Sequence, residues 1–73
     1  MSEYSSIELG EIEMYGMTSA ELDKQIKTSG EIVALRFYEY QTSKAFRESN
    51  YEEALRAFNR VRYIIDVRLF PEQ

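Results

Sequence analysis

The sequence predicts an all-α fold: an antiparallel helical hairpin with a long helix over about 19–48 and a second over about 51–70, preceded by an extended or weakly structured acidic arm over 1–17. Three observations lead there. The run from Ser49 to Phe70 repeats its apolar residues at the helical period, and Ser/Thr-x-x-Glu boxes open at Thr18 and Ser49. Only Ser49-Asn50 separates the last two periodic stretches, a connection short enough to fold one helix back on the other.

The arm, residues 1–17, carries two similar triplets, Ile7-Glu8-Leu9 and Ile12-Glu13-Met14, around Gly10-Glu11. That spacing is compatible with a type II′ hairpin placing Ile7, Leu9, Ile12 and Met14 on one face. Glu8 would then oppose Glu13, and a lone two-stranded hairpin is marginal in water, so the expectation is an extended segment. The remainder, 18–73, is the helical domain.

Its first helix starts at the box Thr18-Ser19-Ala20-Glu21, where Glu21 and Asp23 suit the positive end of the helix dipole. Thr28-Ser29-Gly30-Glu31 signals a break, whereas the phase of Leu22, Ile26, Val33, Phe37 and Tyr40 argues for continuity. The expectation is one helix with a weak point at Gly30; the alternative is a three-helix arrangement broken there. Two apolar faces follow on its second half: Ala34, Leu35, Tyr38, Ala45 and Phe46 on one, Val33, Phe37 and Tyr40 on the other. The alanine-bearing face suits the close approach of the last helix.

In the last helix Tyr51, Ala54, Leu55, Ala57, Phe58, Val61, Ile64, Ile65 and Leu69 share one half of the cylinder, and Glu52, Glu53, Arg56, Asn59, Arg60 and Asp66 the other. Pro71 ends it, because the residue before a proline avoids helical geometry. The last helix is shorter than the long one, so the stripe of Leu22, Ile26, Val33, Phe37 and Tyr40 needs a second cover. A second copy is the expected one, since closed two-fold assemblies are the commonest oligomers. Arg62, on the apolar half, is expected at the edge of the core with its stem buried, or in a salt bridge across that interface, to Glu31 or an acid of the arm.

Within this helix the run SNYEEALRAFNRV, with Tyr51, Ala54 and Phe58 at spacings of three and four, resembles the second helix of a tetratricopeptide repeat. It also resembles a helix of the microtubule-interacting-and-transport domain. The resemblance is confined to Ser49–Ile65 and implies a helical hairpin of similar packing, with peptide binding of the repeat kind. Thr42 stands where the repeat wants a small residue in its first helix, and one unit cannot form a solenoid.

Composition narrows the chemistry. The chain has 73 residues and neither cysteine nor histidine. Disulfides, the common zinc sites, thiolate nucleophiles and imidazole bases are thereby excluded, and no cofactor or metal is expected. Gly10, Gly16 and Gly30 are isolated, so no phosphate loop exists. Paired acids such as Glu52-Glu53 are accounted for as solvated charge. No apolar run approaches a membrane span and no secretory signal opens the chain, so a cytoplasmic protein is expected. Residues 1–23 hold six acids and no base, while 24–73 hold nine bases and seven acids. A pI near 4.8 lacks the basic footprint of nucleic-acid binding.

A non-enzymatic protein-protein interaction module follows, a regulator, adaptor or inhibitor acting as a homodimer. Its expected dimer interface is Leu22, Ile26, Val33, Phe37, Tyr40 and Arg62. Its expected partner-binding residues are Ile7, Leu9 and Ile12 of the arm with Tyr63, Val67 and Phe70 of the last helix. The alternatives are an acidic inhibitor imitating nucleic acid and a structural subunit of a larger assembly.

Overall fold

A computed structural model describes residues 6–71, the side chains of residues 6–9 excepted. Every element in it is helical: α1 (Ser6–Tyr15), α2 (Ser19–Ser29), α3 (Glu31–Arg47), α4 (Tyr51–Tyr63) and a closing π-helical segment, Ile64–Leu69. The all-α expectation holds. A simple two-helix hairpin with an extended arm does not describe the chain, and two junctions explain why.

The first junction replaces the arm. Residues 6–15 are helical, and Gly10 lacks the positive φ that a type II′ turn requires of its glycine. Winding the segment turns the carbonyls of Met14 and Tyr15 toward α4, where Asn59 and Arg60 donate to them. Gly16, at φ +75°, reverses the chain, with its amide still bonded to the Ile12 carbonyl at 2.6 Å. Thr18 then opens α2 with the expected reciprocal cap. Its hydroxyl accepts from the Glu21 amide at 3.1 Å, and the Glu21 carboxylate accepts from the Thr18 amide at 2.9 Å.

The second junction is Gly30, which breaks the expected long helix. Its backbone, φ +88° and ψ 153°, lies in a region nearly confined to glycine. Thr28 and Ser29 turn their hydroxyls back onto the carbonyls of Lys24 and Gln25 and do not cap α3. A continuous helix over 19–48 needs about 45 Å. The longest dimension of the molecule is 37 Å. Bending at Gly30 brings Tyr38 within hydrogen-bond distance of Gln25, a pair that a straight helix would hold about 20 Å apart.

α3 and α4 make the most extensive contact in the molecule. Four alanines, Ala34, Ala45, Ala54 and Ala57, are buried along them, as the small residues of the sequence suggest. The connection is a Schellman turn: Ser49 at φ +62°, its amide on the Phe46 carbonyl at 3.0 Å and the Asn50 amide on the Ala45 carbonyl at 2.8 Å. The cap of α4 is Asn50, which accepts from Glu53, one residue later than the Ser49-Glu52 box predicts, because Ser49 is spent on closing α3. At the other end Phe70 leaves helical geometry before Pro71. The core joins Leu22, Ile26, Ala34, Tyr38, Val61 and Ile64.

A Cβ at residue 30 would meet no neighbour, so substitution there tests backbone strain alone. Gly30→Ala is expected to lower the unfolding free energy by about 1–3 kcal/mol in a urea titration followed by far-ultraviolet circular dichroism.

Candidate docking surfaces

The site begins with a residue placed on the polar half of α4 from sequence. Arg60 is 8% exposed, the one buried charged residue among those described. Its guanidinium donates to the Tyr15 carbonyl, pairs with Glu53 at 3.4 Å and lies 5.3 Å from the centre of the Tyr38 ring. A carbonyl at the negative end of α1, a carboxylate and a ring face together satisfy a cation that burial alone would make costly. Gly16 leaves the room, since a Cβ there would overlap the guanidinium. The signal was present in the spacing: Ala57, Arg60, Val61 and Ile64 follow i, i+3, i+4, i+7, with Arg60 the charged member of a buried row.

A second polar group ties α2 to the chain's end. Asp23 accepts from the Tyr63 hydroxyl at 2.8 Å and faces Arg68 at 3.8 Å, while Arg68 also reaches Glu31 at 3.5 Å. Within the single chain Glu31 is thus paired with Arg68. Arg62 is exposed and pairs with Asp66 one turn on, at 3.8 Å. The π-helical winding, seen in the bond from the Phe70 amide to the Ile65 carbonyl at 2.9 Å, accompanies the turn of Arg68 toward both acids.

These anchors hold two open surfaces. On one side of the α3–α4 pair, α2 and the Gly16 turn border an open groove of about 810 Å³ lined by Met17, Lys24, Thr28, Val33, Phe37 and Tyr38. On the other side, away from the contacts of α1 with Asn59, Arg60 and Tyr63, α4 presents Tyr51, Leu55 and Phe58. Phe46 of α3 packs edge-on against Tyr51, ring centres 5.4 Å apart.

Leu22 and Ile26, expected in a dimer interface, are 0% exposed within the single chain, because the bend at Gly30 folds α2 back and packs them against Ala34, Tyr38, Val61 and Ile64. Val33, Phe37 and Tyr40 of the same stripe remain exposed. The strip expected of Tyr63, Val67 and Phe70 does not form as a unit. Tyr63 packs edge-on against Tyr15 and bonds Asp23, and the π winding breaks the four-residue repeat that would align the three; Val67 and Phe70 are exposed. Ile12 is half-buried on α1. Ile7 and Leu9 lie in α1, with side chains outside those described. Among the described residues no helix is long and apolar enough to cross a membrane.

No family model, curated protein sequence or solved structure matches this chain.

Burial, the hydrogen bond to Asp23 and that carboxylate's charge push the Tyr63 hydroxyl up to about 12. Burial likewise raises Tyr38, and burial with the charge of Glu11 raises Tyr15. A phenol whose folded value exceeds its unfolded value of 10.0 contributes stability that is complete below that pH and lost as pH rises through about 12. In thermal melts Tyr63→Phe is expected to be less stable than the parent at neutral pH, with the gap closing across this alkaline window. Arg60→Ala is expected to cost about 3 kcal/mol in urea unfolding. Arg60→Lys should recover little of it, since a single ammonium cannot serve the carbonyl, the carboxylate and the ring together.

Proposed function

We propose that the chain is a non-enzymatic protein-interaction module, a regulator, adaptor or inhibitor that receives an amphipathic helix of a partner protein in the groove between α2 and α3. One observation carries this: among the described residues more large apolar side chains are exposed than buried. Tyr38, Leu22, Ile26, Val61 and Ile64 are its large buried hydrophobics, whereas eleven others among the described residues, Val33, Phe37 and Tyr40 included, stay about half exposed or more. Scattered exposed apolar residues are ordinary; two of these, Val33 and Phe37, stand together along an open groove, as at a docking site.

The groove's chemistry supports a helical occupant. Val33 and Phe37, four apart on α3, form an apolar floor at one helical turn's spacing, and Glu21, Lys24 and Thr28 supply polar groups of both signs along the α2 wall. A chain without histidine or cysteine lacks the usual general bases and nucleophiles, which favours binding over catalysis. Imitation of nucleic acid is disfavoured by the work its acids already do: Glu11 accepts from Ser19, Glu21 caps α2 and Asp23 holds Tyr63.

A photo-crosslinking residue at Phe37, in extracts of the native host, is expected to trap a partner protein. Excess wild-type chain should compete that product away and a Phe37→Glu chain should not, while the same probe at the exposed Glu13 should trap nothing. Absence of any Phe37 product, or a product only with a second copy of the chain, would overturn the groove as the partner site.

A further inference from the structure

The closing segment Ile64–Leu69 is wound against its own sequence, and we infer that it is a two-state latch: π-wound while Asp23 holds it, α-wound when that carboxylate lets go. π-helices are rare and short, and the run IIDVRL has no glycine or proline to turn it from the ordinary i→i−4 winding. The i→i−5 bond from the Phe70 amide to the Ile65 carbonyl is therefore selected from outside the segment.

Asp23 makes that selection by touching two side chains five positions apart. It accepts from the Tyr63 hydroxyl at 2.8 Å and faces the Arg68 guanidinium at 3.8 Å. At about 100° per residue, an α-helix sets residues i and i+5 about 140° apart, on different faces. A π winding of about 4.4 residues per turn brings them within about 50°, on one face. One carboxylate on α2 meets both side chains in the second geometry, and Arg68 then also reaches Glu31, the first residue of α3, at 3.5 Å. The grip is light. The side chains of Asp23, Arg68 and Glu31 are each 35–43% exposed, and ion pairs open to water contribute little.

Release changes what the chain's end displays. Tyr63 and Val67, four apart, share a face in either winding. Phe70, seven after Tyr63, lies within about 20° of it under α winding and roughly 145° away under π winding. The apolar row of Tyr63, Val67 and Phe70 that the sequence pattern contains is thus assembled in one state and split in the other. The same grip spans Gly30, holding α2 through Asp23 and α3 through Glu31, so the winding of the end is tied to the bend. The latch goes beyond the groove between α2 and α3 and does not rest on partner binding there.

Nuclear magnetic resonance couplings across hydrogen bonds read the winding directly in a full chain of 8.6 kDa. The parent is expected to couple the Phe70 amide to the Ile65 carbonyl. Asp23→Ala and Arg68→Ala are each expected to lose that coupling and gain one from the Phe70 amide to the Asp66 carbonyl, the α partner. Arg68 is exposed, so its variant keeps the fold should Asp23→Ala fail to. Arg62→Ala, which breaks the Arg62–Asp66 pair at 3.8 Å, should keep the Ile65 coupling. A rival support is Leu69, five after Ile64 and partly buried against the core. Persistence of the Ile65 coupling in both latch variants, with or without its loss in Leu69→Ala, would overturn the latch. So would loss of both couplings, which means a frayed end with no second winding. None of these outcomes bears on partner capture at Phe37.

Discussion

The arrangement depends on a single cation held out of water. The Arg60 guanidinium touches the last turn of α1 through the Tyr15 carbonyl, the first turn of its own helix through Glu53, and α3 through the Tyr38 ring. Three of the four α-helices are thus indexed to one planar group. A buried charge tolerates little displacement, because any partner that drifts leaves it uncompensated at low dielectric. For a chain of this size, whose apolar core is small, such an anchor specifies where α1 ends and how the Gly16 turn must run.

Around that anchor the remaining elements are set by backbone geometry more than by greasy contact. Gly16 and Gly30 redirect the chain at single residues, and Ser49 does the same between α3 and α4 with a left-handed conformation that serine adopts less readily than glycine. Asp23 then secures the free end, holding Tyr63 by a hydrogen bond and Arg68 by charge. These polar ties converge on the side that faces α1 and α2. Little comparable crosses the opposite face, where Phe46, Tyr51, Leu55 and Phe58 lie.

Much of this was legible in the residues and some was not, for reasons that can be named. Helical class, the Thr18 cap, the alanine contact between the last two helices and the stop at Pro71 all follow from local pattern, and local pattern is what a sequence displays. At Gly30 two local signals conflicted: phase favoured continuity and the Thr-Ser-Gly run favoured a break. The break prevailed because folding α2 back buries Leu22 and Ile26, a tertiary gain that no window of residues displays. The helical state of residues 6–15 was hidden likewise, since it is fixed by Asn59 and Arg60 some 45 positions away. Arg60 itself was placed on the polar half of the last helix, because the apolar arc was centred on the wide row from Tyr51 to Leu69, although its spacing from Ala57, Val61 and Ile64 pointed inward. Of the surface positions, Val33, Phe37 and Tyr40 were singled out from sequence, whereas Phe46, Tyr51, Leu55 and Phe58 were absorbed into the core, because one broad apolar arc was treated as a single buried face.

The alanine row between α3 and α4 bears on how such a surface arises. Helices that meet through methyl groups stand close together and leave little room between them for bulky side chains. Apart from Tyr38, Arg60 and Val61, which are buried, most bulky residues of those two helices sit on a flank of this two-helix slab. One flank is taken by α1 and α2; on the other, among the described residues, Phe46, Tyr51, Leu55 and Phe58 stay exposed. An oily exterior in this protein is thus the geometric by-product of a lean interior, and enlarging Ala45 or Ala57 would do more than crowd the centre: it would tilt the slab and displace the outer row of rings.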